Sequence, residues 1–209
     1  SATHVAILEP HDFDSQVLKG MDKRSKAYKE LAAANPDKII LSERDYENVL
    51  RMRDAVHAIP EIRNMIQAND AVAEEACFWS RDGLTCKSKL DLRHQSDNLI
   101  LDLKTCKDAS ASGFSRAVSD FGYHAQEAWY RSGLEALGHP ASNFLFLAVE
   151  KEPPYAAAFY RLEASAVLEG KALMDRAFDI YKQCLAANEW PSYPVGPTQL
   201  DIPKWAYTT

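Results

Sequence analysis

LTCKSKLDLRHQSDNLILDLKTC, residues 84–106, decides how the chain reads. The first half alternates: Lys87, Lys89 and Asp91 fall on one face of a strand, and Leu84, Cys86, Leu90 and Leu92 on the other. Asp97-Asn98 marks a turn. In the next run Leu99, Leu101 and Leu103 share one face as core, and Asp102 and Lys104 share the other. Upstream, AEEACFW (73–79) is strand-like, and Ser80-Arg81-Asp82-Gly83 joins it to residue 84 with a strong hairpin signal. The three runs make an antiparallel meander. A two-residue turn at Asp82-Gly83 places Glu74 opposite Asp91; a slip of one residue brings Glu75 there instead.

Outward from the meander the period changes. Ser42 reads as an N-cap with Asp45 at the third helical position, followed by helical spacing of Tyr46, Val49, Leu50, Arg53, Val56 and Ile59. Pro60 begins a short second helix through Gln67. Residues 113–137 read as one helix, with Phe114, Ala117, Val118, Phe121, Ala125, Ala128, Trp129 and Leu137 at helical steps, ended by Gly138-His139-Pro140. Residues 143–150 and 155–162 read as strands, and 164–187 as a last helix. Residues 12–34 look polar, Lys-rich and partly extended. The order predicts an α/β domain with a mixed central sheet flanked by helices. We expect one domain over 1–209, with its core at about 42–187 and a Pro-rich tail at 190–209. The patterned start without an initiating Met suggests a C-terminal fragment of a longer protein.

The 209 residues carry 46% hydrophobic and 26% charged side chains, which excludes a disordered chain or a coiled coil. A net charge of −6 argues against a general electrostatic nucleic-acid binder, but not against a metal-dependent site with local basic groups. No apolar run approaches the ~20 residues of a membrane span, and no signal peptide is evident; a cytoplasmic protein is expected. Cys77, Cys86, Cys106 and Cys184 form no CxxC pair, so we expect free thiols and no iron–sulfur cluster.

Asp-x-Lys alone is a common accident. Beside it, however, the meander brings Glu74, Asp91 and Asp102 toward one lysine. Like charges at such range are costly unless a cation sits among them, and hard oxygen ligands suit Mg²⁺ or Mn²⁺. The lysine can then act on a water that attacks phosphorus. Gln126 and Tyr130, four apart on the following helix, share a face with reach toward that cluster.

This ordered set resembles the PD-(D/E)XK nuclease superfamily, with its restriction-endonuclease-like core, and its RecB-like branch in particular. The words AEEACFW, GLTCKSKLD, LILDLKTCKDAS, GYHAQEAWY and AVEKEPPY are similar to the exonuclease VIII (RecE) group of prophage-type recombination, over about residues 1–162. The resemblance implies Asp91 and Asp102 as metal-binding carboxylates, the Leu103 carbonyl as a further ligand, Lys104 as the catalytic lysine and Glu74 as the upstream acid. It implies Gln126 and Tyr130 as the QxxxY motif, and His4, in THVAILEP, as the motif histidine near the metal. Lys89 stands where such sites often carry Arg. Lys87, Lys89, Lys107, Ser110, Ser112, Arg116, Tyr123 and Arg131 are candidate DNA contacts. The implied function is a Mg²⁺-dependent 5′-to-3′ exonuclease that leaves 3′ single-stranded tails from double-stranded DNA ends. A homo-oligomeric ring, most simply a tetramer, and a RecT-like single-strand annealing partner come with it. An endonuclease or other phosphodiesterase on the same fold, or a non-catalytic DNA-binding module, are the alternatives.

Overall fold

The computed structural model describes residues 1–207. Ser42 caps α4 (Glu43–His57) as its sequence requires, its Oγ accepting the Asp45 N–H at 3.1 Å. Pro60 opens α5 (Pro60–Ile66), where a missing N–H costs nothing. Then come β3 (Ala71–Arg81), β4 (Leu84–His94) and β5 (Leu99–Cys106), the expected antiparallel meander. Helices α6 (Ala111–Phe121) and α7 (Tyr123–Ala136) cross over to β6 (Asn143–Glu150), which lies parallel to β5. A parallel neighbour needs such a crossover. β7 (Ala157–Tyr160) completes a mixed five-stranded sheet of order β3-β4-β5-β6-β7. The last helix, α8, spans Ala164–Ala187.

The sheet divides two apolar layers. On one side Leu99, Leu101 and Leu103 of β5 and Leu145, Leu147 and Val149 of β6 pack with Val49, Met52, Val56, Ile62 and Ile66 of α4 and α5. On the other, Ile100, Phe144, Phe146 and Ala148 meet Phe114 and Val118 of α6 and Leu134 of α7. Each fully buried side chain of this size is worth about 1.5–3 kcal/mol. β5 and β6 are thus covered on both faces, which suits a parallel pair.

Several expectations change. Helix α1 (Ala2–Leu8) buries Val5, Ala6, Ile7 and Leu8 in the first layer, and Phe13 and Val17 follow, so the core begins well before residue 42. Residues 12–34 hold α2 (Phe13–Gln16), β1 (Val17–Lys19) and α3 (Lys26–Ala34); β1 pairs in parallel with β2 (Ile39–Leu41). The two strands are three residues each, and α3 buries none of its side chains. The helix expected over 113–137 is broken at Gly122, whose φ of 67° is the left-handed turn that glycine adopts without penalty. The chain divides into two compact units, Ser1–Met174 and a smaller one from Asp175 onward. In the smaller unit the Tyr181 ring packs on Trp190 at 5.6 Å, and the proline-rich tail is irregular apart from a short 3-10 turn at Lys204–Ala206.

One irregularity prepares the site. The β3–β4 ladder pairs Ala73 with Leu92 and Glu75 with Leu90 but skips Glu74 and Asp91, and Glu74 has a positive φ of 55°. The β4–β5 ladder pairs Leu92 with Leu101 and stops, so Asp91 and Asp102 do not pair either. The sheet opens on both sides of Asp91. Across the break Leu90 packs in one layer and Leu92 in the other, correcting the expectation that both share a face.

Candidate active site

Asp102 sits in the middle of β5, only 1% exposed, on the face that also carries Ile100. A carboxylate there must be paired. Its Oδ1 accepts from Gln126 Nε2 at 2.9 Å, and its Oδ2 forms an ion pair with Lys104 but accepts no well-formed hydrogen bond. Lys104 Nζ in turn donates to Gln126 Oε1 at 2.9 Å. The Gln126 amide therefore bridges the acid and the lysine with one donor and one acceptor. Tyr130 lies one turn further along the same helix, half-buried, and burial raises its phenol above the usual value while Gln126 pulls it the other way. The Lys104 ammonium also lies 4.6 Å from the centre of the Tyr123 ring.

Asp91 uses the gap in the ladder. Its Oδ2 accepts the Leu103 N–H at 2.8 Å, replacing a strand-to-strand bond, and lies 3.3 Å from His4 Nε2. The other ring nitrogen of His4 is 2.7 Å from Ser1 Oγ, which orients the imidazole. α1 is held in turn by His57 Nε2, 2.9 Å from the Ile7 carbonyl oxygen. Burial first, and the nearby Asp91 charge second among the raising effects, push Asp102 up to about 6 against the pull of Lys104. A second carboxylate, a buried oxygen that accepts no hydrogen bond and a raised acid are what a cation would relieve. Among the described residues no three His, Cys, Asp or Glu side chains stand at metal-ligand spacing. Asp91 and Asp102, with the intervening Leu103 carbonyl and His4, still fit Mg²⁺, which keeps several waters rather than an all-protein cage.

The upstream acid behaves otherwise. Glu74 is ion-paired to Lys89, so each neutralises the other. Glu75 pairs with Arg93 at 3.1 Å. Glu9, which the sequence reading passed over, is raised by burial and then by Glu74 and Asp12. Nothing in ILEP separates that glutamate from a surface residue; only the fold brings it near Glu74.

The candidate DNA contacts also divide. Arg131 is locked, donating from Nε to Glu127 Oε1 at 2.8 Å and from Nη1 to the Ala141 carbonyl at 2.6 Å; it braces α7 and is no free clamp. Tyr123 packs among Phe114, Phe121 and Phe146 under Lys104. Ser110 caps α6, its Oγ accepting the Gly113 N–H at 3.1 Å, with Ser112 Oγ 3.3 Å away. Lys87, Lys107 and Arg116 are exposed. The loop carrying Lys107 is fixed by residues not foreseen: Ala109 N–H donates to Glu150 Oε1 at 3.0 Å, and the Ala109 carbonyl accepts from Tyr160 Oη at 2.5 Å. No described helix is long and apolar enough to cross a membrane.

Comparison with known proteins bears on the fold. The family model described as a PDDEXK-like domain of unknown function (DUF3799) matches residues 1–198. No curated protein sequence matches the chain. Among solved structures, a protein from Eubacterium rectale provisionally named an exonuclease superposes with a TM-score of 0.55 at 13% identity, over 81% of this chain and 71% of that one. The structure of SSO0001 covers 92% of this chain and 77% of its own at 15% identity, with a TM-score of 0.36, too low to bear on the argument.

Proposed function

The chain belongs to the PDDEXK-like family, and on that premise we propose that it is a Mg²⁺-dependent nuclease that degrades one strand of linear duplex DNA. The observation that carries the reading is the hydrogen-bonded set of Asp102, Gln126 and Lys104 beside Asp91. In the reaction a water oxygen bonds to phosphorus and one P–O ester bond breaks, the leaving oxygen taking a proton. Bound Mg²⁺, with Mn²⁺ as a substitute, would supply charge stabilisation for the phosphorane-like transition state and a more acidic water. Asp91 and Asp102 would hold it, with the Leu103 carbonyl and His4. Lys104 points its ammonium at the attacking water or a scissile phosphate oxygen. Gln126 keeps that ammonium aimed, and Tyr130 stands beside it one turn along the helix, facing the substrate.

The finer reading is that of the exonuclease VIII-like group: 5′-to-3′ digestion, 3′ single-stranded tails, a homo-oligomeric ring and a RecT-like annealing partner. The ordered words AEEACFW to AVEKEPPY support it. Digestion of linear and closed circular duplex, labelled at either strand end and with Mg²⁺ or EDTA, tests it. Linear-only, metal-dependent loss of the 5′ label is expected. Cleavage of circles would make the protein an endonuclease, and no cleavage of either form would make it a binding module.

A further inference from the structure

Next to Lys104 lies a cavity that the hydrolytic chemistry leaves unused. It measures about 510 Å³ and is formed where β5 ends, where α6 begins and where β6 ends. Tyr123, whose ring lies under the Lys104 ammonium, forms part of its wall. Three cations surround it: Lys107, Arg116 and Lys151. All three are exposed, and none forms an ion pair among the described residues. Two acids also line it, and one of them, Asp108, is turned back to the Ser110 N–H at 2.9 Å. At its edge Phe121 is 72% exposed, with one face stacked on Tyr123 at 5.6 Å and 28° between ring planes. Phe121 is thus an aromatic ring braced by a partner ring, open to solvent and flanked by cations that form no ion pair among the described residues. It is the combination by which proteins hold single-stranded nucleic acid, with bases on rings and phosphates on cations.

We propose that this cavity seats one unpaired nucleotide of the strand being hydrolysed, its base stacked on Phe121 and its phosphates held by Lys107, Arg116 and Lys151. The assignment rests on the nuclease reading and extends it: the duplex end must open by at least one base pair before the adjoining phosphodiester reaches Lys104. Stacking on a phenyl ring is indifferent to base identity, so the subsite imposes no sequence preference.

The test is fluorescence anisotropy of a short single-stranded deoxyoligonucleotide in EDTA, with parent protein and with Phe121→Ala, Phe121→Trp and Arg116→Gln. Phe121→Ala should weaken binding about ten-fold or more, and Phe121→Trp should restore it. Arg116→Gln should weaken binding and lower the salt slope by about one. An oligonucleotide abasic at the terminal position should bind parent and Phe121→Ala alike. Because the ring is exposed, melting temperature should be unchanged. If Phe121→Ala binds the complete oligonucleotide as tightly as the parent, while the parent still hydrolyses linear duplex with Mg²⁺, the subsite is wrong and the nuclease reading stands. A parent that neither binds the oligonucleotide nor hydrolyses duplex overturns both.

Discussion

Two carboxylates of this protein look alike at first sight. Asp102 and Glu127 are each 1% exposed, each has one oxygen without a hydrogen bond, and each is raised by burial against the pull of a cation. Their surroundings differ. Glu127 takes a two-pronged contact from Arg131, with Nε and Nη2 both 2.8 Å from Oε1, and the same guanidinium is tied to Ala141 and lies 5.9 Å from the Phe144 ring centre. That arrangement is closed: every group in it holds α7 in place. Asp102 instead shares its lysine with Gln126, and a second carboxylate, Asp91, raises it further. Burial and an orphaned oxygen therefore do not identify a catalytic acid. A second acid at close range, and a cation held by a neutral side chain as well, do.

The two cations, Lys104 and Arg131, separate the two acids most strongly. Lys104→Ala should lower the rate of duplex hydrolysis per folded molecule by about 10²–10³, since the loss falls on transition-state charge, and should also lower the melting temperature of the metal-free protein, because Asp102 is left buried without its ion pair. Arg131→Met should cost stability alone. Leaving Glu127 buried without its partner costs about 3–5 kcal/mol, to be read as a lower denaturant midpoint, with activity per folded molecule preserved. If Arg131→Met abolishes turnover in protein that is still folded, the structural assignment of the Glu127 pair is wrong.

A smaller effect sharpens the role of the bridging amide. Gln126→Ala should reduce kcat about ten-fold, because a lysine released by about 1 Å loses its aim. Tyr130→Phe removes only the hydroxyl and leaves the lysine's partner in place, so it should cost less. Equal rates for parent and both variants at saturating Mg²⁺ would reduce these residues to packing.

The smallest predicted effect concerns stability and pH. The Asp102 carboxyl, ordinarily 3.8, stands at about 6 in the fold. Between those values the folded protein keeps a proton that the unfolded chain has lost, so stability falls as pH rises through that window. Metal-free Asp102→Asn, which mimics the protonated form, should melt a few degrees above the metal-free parent at pH 7 and alike near pH 4, while losing hydrolysis. A lower melting temperature at pH 7 would mean that Lys104 needs the charge more than the fold is harmed by it.

The meander, the Ser42 and Pro60 helix starts and the apolar face of Leu99, Leu101 and Leu103 were all legible in residue order, because alternation, caps and turns act over a few residues. So was the shared face of Asp102 and Lys104, which follows from strand period alone. The helix break at Gly122 was missed because apolar spacing runs across it and one glycine reads as tolerated. The elements before residue 42 were missed because the strands are three residues long and α3 buries none of its side chains, so composition there reads as polar.

Other features depended on chain segments far apart in sequence. Hairpin register placed Glu74 opposite Asp91, yet only the packed sheet shows the ladder opening there and Glu74 turning to Lys89. Arg131 looks like any surface arginine until α7 packs and Glu127 is sealed beneath it. The Gln126 bridge joins residues 22 and 24 positions apart, and the clasp of His4 on Asp91 spans most of the core. Local pattern is set by backbone geometry and so is written in the order of residues. Which charges meet, and which are left unpaired around the Phe121 cavity, is set by burial and desolvation, and those exist only once the layers have closed.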